Sequence, residues 1–150
     1  YLNMVNDQNH QISVKLSAKM DKTAQAVERL QEENFRLKGQ VGQLVDDMCR
    51  KEAERYAGSG SVLIFMDGMD ADSVRKLADA VTQTCQGCCA VFSGNADGSY
   101  KYAMGEKDGD LRQFTKEMNA KLNGRGGGKP FFVQGSVQAS EKEIRNFFEQ

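Results

Sequence analysis

Apolar side chains follow two different patterns along the chain, and the pattern changes near residues 58–60, Gly-Ser-Gly. Before that point, Ile12 and Leu16 share one helical face and predict a short helix over 8–19. A break near 19–22 separates it from a longer helical pattern that continues to about 57. After that point, short apolar runs alternate with amphipathic segments. We therefore predict a helical hairpin or coiled-coil segment over 1–57 and a globular domain over 58–150.

The longer helix carries two series of residues that recur every seven positions. The a-type positions are Val27, Asn34, Val41 and Met48, and the d-type positions are Leu30, Leu37 and Leu44. A seam of this period is typical of a helix that packs against another helix, and an asparagine at an a position specifies register. The seam favours a homodimer. The alternative is an intrachain hairpin in which the 8–19 helix or another part of the protein covers these residues.

The second half predicts a mixed sheet of about four strands with three helices. The predicted strands are 62–66, 89–93, 100–104 and 131–136. Asp70, Asp110 and the capping box of Ser140 and Glu143 should begin the three helices, and Gly124 should end the second. A helix between the first two strands predicts that they pair in parallel, with the third strand antiparallel to the second. The fold class is therefore α/β of the mixed α+β kind, preceded by a long helix.

Charge and cysteine content narrow the classes of function. The net charge is -1, so no global field attracts the chain to nucleic acid or membrane, and no apolar run approaches the roughly 20 residues of a membrane span. Four cysteines without a secretory signal predict free thiols in the cytoplasm. Cys85 and Cys88 have the spacing of half a zinc site. Because the second half is absent, we expect Cys88 or Cys89 to fill a strand core as a small apolar residue, and we expect the cluster to bind no metal.

Residues 124–130, Gly-Arg-Gly-Gly-Gly-Lys-Pro, form the most unusual segment and should join a helix to a strand. Backbone N–H groups in a glycine run bind phosphate or carboxylate oxygens, and flanking cations add charge-assisted bonds. From 112 to 129 five basic side chains accompany only Glu117. The segment fits neither a Walker loop nor a Rossmann turn. We predict an anion site, rather than a flexible loop, made of Lys116, Lys121, Arg125, Gly126, Gly127, Gly128 and Lys129.

Residues 122–130, LNGRGGGKP, with Gln134-Gly135-Ser136 after them, resemble the glycine-rich motif of the DHH-associated domain. That domain ends alanyl-tRNA synthetases, the longer AlaX-type editing proteins and DHH-type phosphoesterases. Lys129 stands where phosphoesterases tend to carry histidine, which favours the alanyl-tRNA branch. Residues 9–17, NHQISVKLS, also resemble the segment that follows an editing domain. The resemblance adds Gln134 to the candidate site.

This resemblance implies a C-terminal module that binds alanine-type tRNA at its outer corner, mediates dimerisation and assists hydrolysis of mischarged tRNA. The family's editing domain binds zinc through HxxxH and CxxxH motifs, whereas this chain has only His10. We therefore expect no catalytic residue, metal ligand or cofactor here, and expect zinc only in an editing domain upstream of this chain. The parent would be an editing hydrolase or an alanine–tRNA ligase. The alternatives are a phosphate-binding accessory domain of a DHH-type phosphoesterase and a purely structural coiled coil.

Overall fold

The computed structural model describes residues 1–150 and contains five α-helices and one five-stranded sheet. The helices are α1 Leu2–Lys15, α2 Thr23–Arg55, α3 Ala71–Thr82, α4 Arg112–Lys121 and α5 Glu141–Phe148. The strands are β1 Val62–Asp67, β2 Cys89–Gly94, β3 Tyr100–Gly105, β4 Arg125–Lys129 and β5 Phe132–Val137. The predicted mixed α+β class, with a long helix before a small sheet, is confirmed. None of the helices combines the length and apolar character needed to cross a bilayer.

Two compact units divide the chain, Tyr1–Leu44 and Val45–Gln150, and α2 contributes residues to both. The long helix predicted over about 22–57 is confirmed as α2, preceded by a 3₁₀ turn. The apolar seam residues of the first unit are exposed, namely Val27, Leu30, Leu37, Val41 and Leu44. Helix α1 therefore does not cover these seam residues. The division into domains at residue 58 stays a prediction.

The sheet has the strand order β1-β2-β3-β5-β4. As predicted, β1 is parallel to β2, and β3 is antiparallel to β2; the remaining pairs are antiparallel. One row of paired residues crosses the whole sheet, from Ile64 through Val91, Ala103 and Gln134 to Gly127. Paired residues in such a row point to the same face of a sheet. Gly127 of the edge strand β4 therefore lies on the same face as the core residues Ile64 and Val91.

Helices cover both faces of the sheet. On the first, which we call the α3 face, α3 and the last turns of α2 pack against β1, β2 and β3; this cluster includes Cys49, Leu77, Val81, Ile64 and Val91. On the second, the α4/α5 face, α4 and α5 pack against alternate strand residues; this cluster includes Phe92, Tyr102, Val133, Met118 and Ile144. Alternation along each strand thus supplies two separate apolar cores from one sheet.

Two of the three predicted N-caps are present at the starts of their helices. Asp70 Oδ1 accepts a hydrogen bond of 2.7 Å from the Ser73 backbone N–H at the start of α3. Ser140 and Glu143 form the predicted capping box at the start of α5. Both caps satisfy N–H groups that the first turn of a helix leaves unpaired.

Both ends of α4 differ from the prediction. The N-cap residue is Leu111, without a side-chain cap bond, although Asp110 Oδ1 accepts from the Arg112 N–H at 3.1 Å. At the other end Asn123, with φ of 49°, adopts the left-handed conformation that was expected of Gly124. Gly124 is needed for a different reason: a Cβ there would lie 2.7 Å from Val137 Cγ1.

The glycine segment is a fifth strand rather than a loop. Residues Arg125–Lys129 form β4, which pairs with β5 at the edge of the sheet. Three consecutive glycines have low strand propensity, so the pattern of the sequence does not predict a strand. Pairing with β5 overrides that propensity, and Pro130 and Phe131 connect the two strands.

Candidate nucleic-acid interface

The edge strand β4 is exposed along its whole length. A Cβ at Gly126 would contact the hydroxyl of Tyr102, which belongs to the α4/α5 face. Because strand residues alternate, Arg125, Gly127 and Lys129 point to the opposite, α3 face. The two predicted cations and the middle glycine of the run therefore share one side of the sheet.

The three glycines of the run are not all required for the same structural reason. A Cβ at Gly126 would meet the Gln134 carbonyl oxygen, and one at Gly128 would meet the Phe132 carbonyl oxygen. These two positions need glycine because β5 approaches too closely for a side chain. At Gly127, in contrast, a Cβ would have no atom within 4 Å. Close packing against β5 therefore explains why positions 126 and 128 are glycine, but it does not explain why Gly127 is glycine.

A groove of about 380 Å³ lies on the α3 face between α3 and the β4–β5 hairpin. Gly127, Lys129 and Gln134 line it from the hairpin, and Arg75 and Asp79 line it from α3. Gln134 is paired directly opposite Gly127, so an amide side chain lies beside the bare backbone of the edge strand. The groove thus offers two cations, an amide and unobstructed backbone to a ligand.

Charges in and near the groove are partly compensated. Arg75 Nη2 lies 3.0 Å from Asp72 Oδ1 in an exposed ion pair, and Asp79 adds a second carboxylate. Lys129 has no ion-pair partner, and its Nζ lies 5.8 Å from the centre of the Phe131 ring. Lys129 and Arg125 are therefore the cations of this face that remain available to an anion.

The other two predicted basic residues extend from α4, the helix on the opposite face. Lys121 Nζ donates to Gln150 Oε1 at 3.2 Å and lies 5.4 Å from the centre of the Phe147 ring. Lys116 is exposed on the same helix. Of the predicted site residues, Gly127, Gly128, Lys129 and Gln134 line the groove. Arg125 lies on the same face at the other end of β4 without lining the groove, and neither α4 lysine lines it.

Arg75 is the groove cation that the sequence did not predict. It lies on α3, far from the glycine run in the chain, and only the packing of α3 on the sheet brings it near β4. Lys101 shares the α3 face through its pairing with Ser136, but its Nζ donates to the Met69 carbonyl at 2.7 Å. No signal in the sequence distinguishes the roles of these two cations.

The predicted dimer seam lies largely on exposed helix surface. Within the first unit, Val27, Leu30 and Asn34 line a shallow groove of about 460 Å³ together with Phe35 and Lys38. Met48, the last residue of the a series, belongs to the second unit and packs against the core of the α3 face. Six of the seven seam positions are thus on the surface of one chain.

The cysteine cluster is divided between the two cores. Cys85 and Cys89 are buried on the α3 face, whereas Cys88 packs against the α4/α5 face. Burial raises the pKa of the Cys88 thiol to about 12 and also raises the pKa of Cys89. All four cysteines are free thiols. No group of three or more His, Cys, Asp or Glu side chains is arranged to hold a metal ion.

The fold and the groove define a small mixed-sheet domain whose exposed, glycine-rich edge strand has a basic residue at each end. The family model of the DHHA1 domain matches residues 59–150. The chain therefore belongs to the DHHA1 domain family.

Its relatives include alanine–tRNA ligases. The ligase of Psychrobacter sp. is 23% identical over 154 residues, which cover 95% of this chain and 17% of the ligase. The ligase of Acholeplasma laidlawii is 30% identical over 79 residues, 53% of this chain and 9% of the ligase. The chain thus spans less than a fifth of the length of either relative.

Among solved structures, the chain is similar to the C-Ala domain of the Aquifex aeolicus alanyl-tRNA synthetase. The TM-score is 0.52 at 17% identity, with 62% of this chain and 92% of the C-Ala domain covered. At this identity the similarity establishes a shared fold.

Proposed function

We propose that this chain is a tRNA-binding and dimerisation module of an alanyl-tRNA synthetase or an AlaX-type editing protein. The observation that carries the proposal is the placement of Gly127. Its backbone is open, although its neighbours in the run are glycine for steric reasons, and Arg125 and Lys129 flank it on the same face. An exposed strand between two cations suits the ribose-phosphate backbone of an RNA.

The expected contact is local and independent of base sequence. Arginine and lysine bind phosphate oxygens through charge-assisted bonds, and a side chain at Gly127 would hold the phosphates away from the strand. Because the chain as a whole has a net charge of -1, affinity must come from the β4–β5 surface rather than from a global field. A few phosphate contacts give a Kd of about 10⁻⁴–10⁻⁶ M that weakens as salt rises.

Family membership and the similarity to alanine–tRNA ligases support tRNA, and specifically alanine-type tRNA, as the partner. In the intact protein the module would act in the cytoplasm and assist hydrolysis of mischarged tRNA by an editing domain that binds zinc. The chain itself would contribute binding and no catalytic group. A DHH-type phosphoesterase accessory domain, which would bind a nucleotide phosphate in the same groove, is the alternative.

The exposed seam of α2 supports the dimerisation part of the proposal. Leucine and valine side chains at Leu30, Val41 and Leu44 are 55%, 58% and 69% exposed. Apolar side chains in a heptad series are stabilised when a second helix covers them, and Asn34 would fix the register of that pairing. A dimer would present two β4–β5 surfaces, so one RNA could gain avidity where both surfaces reach it.

Filter binding of tRNA over a salt series tests the RNA-binding part. We expect the double variant Arg125→Ala with Lys129→Ala to bind more weakly, with a slope against log salt that is flatter by about one unit per lost contact. Gly127→Val should also weaken binding while leaving the fold intact, because its side chain projects into open space. Lys107→Ala with Lys142→Ala is the matched control, since it removes two exposed positive charges outside the groove.

Equal losses in the matched control and in the β4 variant would mean that only total charge matters, which contradicts the proposed site. Wild-type affinity and salt slope in the β4 variant would contradict it as well. Saturable binding of AMP without binding of tRNA would instead favour the phosphoesterase alternative.

A further inference from the structure

A second cavity lies on the opposite side of the sheet from the proposed RNA-binding groove. It has a volume of about 500 Å³ and lies where β1 begins and β3 ends. Leu63, Leu111, Phe114 and Phe148 supply apolar walls from a strand, a loop and two helices. A concave apolar site of this volume falls within the range of pockets that bind small molecules.

The polar groups that line this cavity are acidic. Glu106, Asp110 and Glu149 contribute carboxylates, and no lysine or arginine lines the cavity. Asp110 is neutralised by Arg112, whose Nη2 lies 2.6 Å from its Oδ2. Glu106 and Glu149 have no ion-pair partner within 4.0 Å. Two uncompensated negative charges therefore border an apolar cavity.

Cys88 and Glu106 both line this cavity. The pKa of the Cys88 thiol is raised to about 12, first because the side chain is buried and second because the negative charge of Glu106 lies close to it. The thiol therefore stays uncharged, and the negative charge of Glu106 acts inside the cavity because its side chain lines the wall. A cation in the cavity would be attracted by that field, while a phosphate would be repelled.

We propose that this cavity binds a small organic cation, an ammonium group carried on an apolar body. The apolar body would pack against Leu63 and Leu111, and the ammonium would lie between the Glu106 and Glu149 carboxylates. The rings of Phe114 and Phe148 also line the cavity. An ammonium group placed over the face of an aromatic ring is attracted by the quadrupole of that ring. The site does not depend on RNA binding by β4, because it uses the other face of the sheet.

Three probes with the same nine-carbon skeleton separate the contribution of charge from that of apolar contact. They are 3-phenylpropylamine, 3-phenylpropanol and 3-phenylpropionate, each titrated into ¹⁵N-labelled protein and followed by amide chemical shifts. We expect the amine to saturate in the millimolar range, as a ligand of about ten heavy atoms does. Its shifts should centre on residues 61–63, 106–111 and 148–149. The alcohol should bind more weakly, and the propionate most weakly.

The variant Glu106→Gln keeps the size of the side chain and removes its charge. We expect it to weaken amine binding about two- to fivefold, the effect of one partly exposed ion pair, and to leave alcohol binding unchanged. Glu117→Gln is the matched control, because Glu117 is an exposed carboxylate of α4 that does not line the cavity. Equal binding of amine and propionate, shifts outside the cavity, or an unchanged amine affinity in Glu106→Gln would overturn the proposal.

Discussion

The hydroxyl of Tyr102 donates a hydrogen bond of 3.1 Å to Asn119 Oδ1. Asn119 in turn donates from Nδ2 to the Gly126 carbonyl oxygen at 3.4 Å, so one amide side chain connects β3, α4 and β4. Gly126 and Gly135 leave the space that the Tyr102 hydroxyl occupies. The position of the edge strand therefore depends on a partly buried polar contact as well as on its pairing with β5.

Removing the Tyr102 hydroxyl should destabilise the domain. We expect Tyr102→Phe to lower the free energy of unfolding by about 0.5–1.5 kcal/mol, because Asn119 loses its donor in a partly buried setting. Urea denaturation measures the change, and Tyr1→Phe, at a residue that is 94% exposed, is the control. Equal stability of the two variants would show that the contact is energetically neutral.

Neighbouring glycines in β4 should respond differently to the same substitution. We expect Gly126→Ala to lower the free energy of unfolding by about 1–3 kcal/mol, because the added methyl overlaps the Tyr102 hydroxyl and the Gln134 carbonyl. Gly127→Ala should change it by less than about 0.5 kcal/mol, since its methyl enters open space. Chemical denaturation of the two variants tests this, and equal losses would contradict the assignment of faces.

The cap at Asp70 should make stability depend on pH. The pKa of Asp70 is lowered by hydrogen bonds from the Ser73 side chain and backbone, so its folded pKa lies below its unfolded one. The cap contribution is therefore present above the unfolded pKa of about 3.9 and is lost as pH falls through the folded pKa. Asp70→Ala should cost about 1 kcal/mol at pH 7, and the difference should shrink below about pH 4.

Asp70→Asn is the control for that experiment, because asparagine caps helices without titrating in this range. It should retain most of the stability at pH 7 and remove the pH-dependent part. A constant difference between wild type and Asp70→Ala from pH 7 to pH 2 would be inconsistent with the cap.

The a-position asparagine should limit dimer stability while fixing register. In analytical ultracentrifugation we expect wild type to dimerise, and Asn34→Val to associate more tightly but with a less defined oligomeric state. Gln25→Val, an exposed substitution outside the seam, should behave as wild type. A monomer of wild type well above micromolar concentration would refute the dimer.

The cysteine cluster should hold no zinc. Zinc needs deprotonated thiolates in a tetrahedral set, whereas burial raises the pKa of both Cys88 and Cys89 and divides the cysteines between two cores. Elemental analysis of the purified protein is the measurement. One zinc per chain that disappears in Cys85→Ser would contradict the prediction.

Local signals in the sequence predicted much of the fold. The capping residues Asp70, Ser140 and Glu143 act on groups within three residues, so their patterns can be read directly. The parallel pairing of β1 and β2 followed from the helix between them. Strand β4 could not be predicted in this way, because its glycines lack strand propensity and its pairing with β5 decides the conformation.

The candidate site was predicted less completely for a similar reason. The glycine run and its flanking cations are adjacent in the chain, and so the sequence identifies them together. Arg75 enters the groove only through packing of α3, and Lys121 is directed by its contacts toward α5. A side chain would overlap β5 at Gly126 but would enter open space at Gly127. This difference depends on distances between strands, and the residue pattern alone does not show them.

The edge position of β4 also determines how the domain can open. No residue of β4 is buried, while five of the six residues of β2 are. Local opening free energies are low where few apolar contacts break and approach the global value in core strands. We therefore expect β4 to detach and re-form while both apolar cores stay intact. A ligand that bridges Arg125 and Lys129 would bind the closed form, and so would slow exchange of the β4 amide hydrogens without affecting those of β2.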